Sequence, residues 1–110
     1  MTAAHFKTVN LIAIVDFNKV AQDNPTNKLK NLEPLDERWR SFGWDVIRVD
    51  GHNMEKLLKV FRLPPHLEKP RVIIADTVKG KGVSFMENQT SWHGVAPSEK
   101  DYHKALKELE

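Results

Sequence analysis

The chain has 110 residues, of which 40% are hydrophobic and 29% charged, with a formal net charge of +2. That size and mix support one soluble domain with a modest core. The absence of cysteine excludes a disulfide framework and a thiolate metal site, and the charge is too small for the basic stripe of a nucleic-acid footprint. No apolar run reaches membrane-spanning length and Met1-Thr-Ala-Ala-His-Phe-Lys7 lacks the apolar core of a secretory signal, so cytoplasm is the expected compartment.

Residues 3–8 have the character of a helix end. Asn10-Leu-Ile-Ala-Ile-Val-Asp16 is a near-continuous apolar run with β-branched members, the pattern of a central parallel strand covered on both faces. Residues 18–31, rich in Asn and Asp and containing Pro25, predict a loop with little packing of its own, long for a bland connector. From Pro34 a helix is expected, with Asp36 and Glu37 near its positive end, Leu35, Trp39 and Phe42 facing a sheet, and Gly43 closing it. A second strand over 44–49 follows, then a helix capped by Asn53 that buries Met54, Leu57, Leu58 and Phe61 and stops before Pro64-Pro65. The third strand covers 71–76. Ser98 is placed to cap a terminal helix with Tyr102, Ala105, Leu106 and Leu109 on its apolar stripe.

Strands alternating with helices predict an α/β fold with a parallel sheet, whose ligands bind beyond the carboxyl ends of the strands. Residues 16–20, 50–53 and 77–82 all fall at such ends. About three strands with flanking helices is few for this architecture, so the chain is expected to be part of a larger sheet, missing its beginning.

Two of these loops have chemistry to offer. Lys79-Gly-Lys-Gly82 places two cations and two glycines in four residues, either an anion-binding loop or a solvated turn, and it lacks the spacing of a Walker loop. Asp16-Phe-Asn18 is either a turn former or a source of hard oxygen ligands for a cation such as Mg²⁺.

Together, Asn10-Leu-Ile-Ala-Ile-Val-Asp-Phe-Asn-Lys-Val20, Glu33-Pro-Leu-Asp-Glu-Arg-Trp-Arg-Ser-Phe-Gly-Trp-Asp-Val-Ile-Arg-Val-Asp-Gly-His52, Ala75-Asp-Thr-Val-Lys-Gly-Lys-Gly-Val-Ser-Phe-Met-Glu-Asn88 and Trp92-His-Gly-Val-Ala-Pro97 closely resemble consecutive segments of transketolase. The match is nearest to the C-terminal part of the amino-terminal subunit of split transketolases and covers almost the whole chain. The resemblance implies a truncated three-layer parallel-sheet fold, residues 1–110 being a partial thiamine diphosphate-binding (diphosphate) domain. It implies thiamine diphosphate held through Mg²⁺, with Asn18 as a side-chain metal ligand and Val20 as a backbone-carbonyl ligand. It also implies that Lys79 and Lys81 lie in a loop covering the cofactor, and that His93 contacts its diphosphate near the donor substrate, a catalytic position.

The implied activity is two-carbon ketol transfer between ketose and aldose phosphates, with sugar phosphates as substrates. The family's Gly-Asp-Gly motif does not occur, Ala21-Gln-Asp-Asn-Pro25 replaces its usual Gln-Ile-Asp-Gly run, and its pyrimidine-binding domain has no counterpart. Activity is therefore expected only with complementary transketolase chains or in a homo-oligomer. The competing readings are a non-catalytic, oligomerising remnant and a phosphate-ligand binding module. Nucleic acid is disfavoured by the low charge and the lack of an aromatic platform. His52 is expected beside a helix cap, and His5, His66 and His103 in solvent. Trp39, Trp44 and Phe61 are expected in the core, and Trp92 is open to either role.

Overall fold

The computed structural model describes every residue except Gln22 and Asp23, so the middle of the 21–25 departure lies outside the described residues. The chain forms two compact units, one of Met1–Phe17 with Leu32–Thr77 and one of Asn18–Asn31 with Val78–Glu110.

The first unit carries α1 (Thr2–His5), β1 (Ile12–Phe17), α3 (Leu35–Ser41), β2 (Asp45–Asp50), α4 (Met54–Phe61) and β3 (Arg71–Asp76). The strands form a parallel sheet in the order β1-β3-β2, with Phe17 and Asp50 both in register with Asp76. All three strands therefore end at one edge of the sheet. Strand β3 lies in the centre, bonded on both sides, and Val72, Ile73 and Ile74 are fully buried. Side chains alternate across a strand. One face joins Phe17, Trp44, Val72 and Ile74 under Leu35 and Trp39 of α3 and Ala3 and Ala4 of α1, while the other joins Val49, Ile73 and Ala75 under Leu57 and Val60 of α4. Helices on both faces make this the expected three-layer α/β arrangement.

Within these three strands β1 is at an edge and not at the centre: Ile12 and Ile14 are 46% and 58% exposed. Its run is as apolar as that of β3, but helices cover only the face bearing Ala13, Val15 and Phe17. The α4 stripe also differs from expectation. Leu57 and Val60 pack on the sheet, whereas Met54, Leu58 and Phe61 are exposed, because contact with two strands needs only a narrow helical face. Phe42 is likewise exposed, while Trp39 and Trp44 meet edge to face in the core. Asn53 caps α4, its side chain accepting from the Lys56 amide at 2.9 Å. The α3 terminus is bonded by Glu33, whose carboxylate accepts from the Leu35 amide at 2.8 Å and from Arg48, which also pairs with Asp76 and lies over the Phe17 ring.

The second unit holds α2 (Thr26–Leu29), a 3-10 turn (Thr90–Trp92) and α5 (Glu99–Leu109). The expected 18–31 loop is thus partly ordered by a one-residue antiparallel bridge, Val20 to Pro25, and by α2. Ser98 caps α5, accepting from the Asp101 amide. Its stripe is largely open, with Tyr102, Leu106 and Leu109 exposed, because Val83 is the only fully enclosed apolar residue described in this unit. Among the described residues no helix is long and apolar enough to cross a membrane.

Candidate functional site

Two segments of the second unit build a small cavity. The first follows Phe17: the Asn18 Oδ1 accepts from the Val20 amide at 2.9 Å, Lys19 takes a left-handed φ of 61°, and the Lys19 carbonyl accepts from the Thr26 amide at 2.9 Å. An Asn side chain bonding two residues ahead is an Asx turn, and its second lone pair stays available. The other segment is the Lys79 loop. Gly80 has φ 74°, and a Cβ there would lie 2.6 Å from the Met86 carbonyl oxygen, so only glycine allows the turn. The Asn88 amide closes the loop on the Lys79 carbonyl at 2.9 Å.

Asn18, Val20, Ala21, Lys79 and His93 line a cavity of about 240 Å³. Four of the five residues singled out in the sequence therefore share one cavity. Lys81 does not line it: its ammonium lies 3.2 Å from a Glu87 oxygen, which also accepts from the Gly82 amide at 3.1 Å. The loop was expected to offer glycine amides and two ammonium groups to an anion. In the structure Glu87 takes one of each, leaving Lys79, which has no carboxylate partner among the described residues.

No carboxylate lines this cavity, and its donors are an ammonium and an imidazole, so its chemistry suits an anion. The volume fits a phosphate-sized group better than a complete cofactor. No group of three or more His, Cys, Asp or Glu side chains is placed to hold a metal among the described residues. A cation here would meet the neutral oxygens of Asn18 and Val20 and would draw its remaining ligands from phosphate, as Mg²⁺ commonly does. The residues present therefore fit a diphosphate and its metal on one side.

A larger cavity of about 430 Å³, lined by Met1, Leu35, Arg38, Trp39, Phe42 and Trp44, is apolar and holds a single ionisable side chain. It lacks the convergent polar groups that chemistry requires. Among the remaining histidines, His52 stands beside the Asn53 cap as expected, and the His66 Nδ1 accepts from the Glu68 amide. Ala21, Glu87 and the contacts of Trp92 were not legible in the sequence. Only the acidic character of Glu87 near two lysines hinted at its role.

The family model described as transketolase, thiamine diphosphate binding domain, matches residues 1–109. The chain is 37% identical over 110 residues to the first of the subunits that make up the apulose-4-phosphate transketolase of Phocaeicola vulgatus, covering 99% of this chain and 39% of the relative. It is 40% identical over 92 residues to Homo sapiens transketolase, covering 84% of this chain and 14% of that protein. The fold superposes on transketolase from Campylobacter jejuni with a TM-score of 0.88 at 28% identity, covering 98% of this chain and 17% of that one. The chain thus spans less than half the length of these relatives. With a family match along nearly its whole length and a matching fold, the chain belongs to the transketolase family, in its thiamine diphosphate-binding domain.

Proposed function

We propose that this chain is a partial diphosphate domain that forms one wall of a thiamine diphosphate and Mg²⁺ site in a transketolase-type enzyme, acting with a complementary chain in ketol transfer between sugar phosphates. The observation that carries this reading is the meeting of Asn18, Val20, Lys79 and His93 around one carboxylate-free cavity. Lys79 and His93 would hold the diphosphate, and the Asn18 side chain and Val20 carbonyl would face the metal. When bound, the cofactor supplies the electron sink for breaking and making the carbon–carbon bond. His93 is exposed, so its imidazole can donate a hydrogen bond to the diphosphate and remain within reach of an incoming sugar phosphate. Lys79 contributes a fixed positive charge that needs no proton transfer.

The need for a second chain is supported by the open edge of β1, where Ile12 and Ile14 await cover. It is also supported by relatives that are themselves named as single subunits of a transketolase. Calorimetric titration with thiamine diphosphate and Mg²⁺, alone and with a complementary chain, tests the proposal. Lys79→Ala or His93→Ala should weaken binding about tenfold or more, the weight of one hydrogen bond to a charged group, and Asn18→Ala should weaken the Mg²⁺-dependent part. No binding at millimolar cofactor in either preparation overturns the reading.

A further inference from the structure

Trp92 lines no part of the cavity, yet it is the best-anchored side chain next to His93. Its Nε1–H donates to the Phe85 carbonyl at 3.2 Å, and its ring meets the Phe85 ring edge to face at 5.7 Å. The Lys104 ammonium of α5 lies 4.3 Å from the centre of the same Phe85 ring. The helix is itself fastened to this loop, because the Ser84 amide and hydroxyl both donate to the Glu108 carboxylate.

His93 ends the Thr90–Trp92 turn, its amide donating to the Thr90 carbonyl at 2.9 Å. On its other side the chain is unsupported: Gly94 has φ 75° with nothing within 4 Å of a Cβ position, and residues 94–97 are exposed. The position of the imidazole is therefore inherited from the Trp92 side. Lys79 is fixed separately, through the Asn88 amide on its carbonyl.

We propose that Trp92 is the positioning residue for His93, held by Phe85 and, through it, by Lys104 of α5. The proposal rests on the functional reading above for its consequence, that cofactor affinity depends on Trp92 through His93 and not through Lys79. The structural part stands without that reading, since it concerns only where the imidazole is held.

Trp92→Phe keeps an aromatic ring and removes the N–H donor. Imidazole resonances in the full chain, with His93 assigned by His93→Asn, should shift or broaden for His93 in Trp92→Phe while the β3 amides stay unchanged. In calorimetry with thiamine diphosphate and Mg²⁺, Trp92→Phe should weaken binding about fivefold, the effect of one neutral hydrogen bond. That loss should vanish in a His93→Asn background and persist in a Lys79→Gln background, since only coupled residues depart from additivity. Unchanged His93 resonances, or a loss additive with His93→Asn, overturns the proposal. Should Trp92→Phe fail to fold, Lys104→Gln must move the same His93 resonances, and unmoved signals overturn it. A wild-type chain that binds no cofactor refutes the functional reading instead, and the resonances still decide the positioning role.

Discussion

Gly80→Ala separates two costs that are usually confounded, because Gly94 offers a matched control. Both glycines have nearly the same backbone angle, φ 74° and 75°. At Gly94 an added Cβ meets open space, whereas at Gly80 it would lie 2.6 Å from the Met86 carbonyl oxygen and 2.8 Å from its carbon. Gly94→Ala should therefore carry only the left-handed penalty of about 1–2 kcal/mol. Gly80→Ala adds a steric term that cannot be relieved by a rotamer, since the obstructing atoms are backbone. Met86 cannot move freely: its amide donates to the Val83 carbonyl at 2.9 Å and its carbonyl accepts from the Gln89 amide at 3.1 Å. Straining one of these bonds costs about 1 kcal/mol, so the total comes to about 2–4 kcal/mol, in the range of severe single substitutions. For a domain of this size that lowers Tm by roughly 10 °C or more. Thermal unfolding followed by circular dichroism gives the global effect. Amide exchange at Asn88, bonded to the Lys79 carbonyl, shows whether the loop opens first. Equal losses in Gly80→Ala and Gly94→Ala would refute the argument, because the contact with Met86 would then contribute nothing.

Three other outcomes are expected. Ile73→Ala removes a fully buried side chain from the centre of β3 and should cost about 2–5 kcal/mol in urea unfolding; a loss under about 1 kcal/mol would mean that α4 does not cover that face. Ser98→Ala deletes the cap that accepts from the Asp101 amide and should cost about 1 kcal/mol, read as lost helical ellipticity and faster exchange within α5. Glu33 has its carboxyl held below the ordinary 4.5 by its bond to Arg48 and then by the Leu35 amide. The charged form is the bonded one, so its stabilisation is complete above pH 4.5 and declines as pH falls through the lower folded value. The fall of Tm with acid below pH 4.5 should be shallower in Arg48→Gln, and an unchanged slope would refute the linkage.

How much of this fold the sequence discloses depends on whether a signal is local. The caps at Asn53 and Ser98 follow from one side chain and the amide three residues on, and both occur. Strand β3 is marked by an apolar run bounded by Arg71 and Asp76, and it has those limits. The central position was less legible, because residues 10–16 and 71–76 are similarly apolar and strand order is a property of pairing, not of either run. The stripe on α4 fails for a related reason. Periodicity shows which residues are able to face a sheet, but the number that do is set by the width of sheet beneath the helix, and here Leu57 and Val60 suffice.

The candidate site divides in the same way, most clearly at Lys79 and Lys81. In sequence the two lysines are equivalent, each followed by glycine in one short loop. Their separation comes from the turn: with Gly80 and Gly82 both at positive φ, the backbone reverses and brings Glu87 to the Lys81 ammonium and the Gly82 amide. One carboxylate six residues downstream thereby offsets half of the loop's formal charge and occupies an amide that an anion would otherwise bind. Lys79 escapes because Asn88, the next residue, engages its backbone and not its side chain. Counting basic residues in such a motif thus overstates the charge offered to a ligand. What the fold adds is the choice of which cation stands with His93 and Asn18, and a residue pattern carries that choice only when the fate of each neighbouring acid is known.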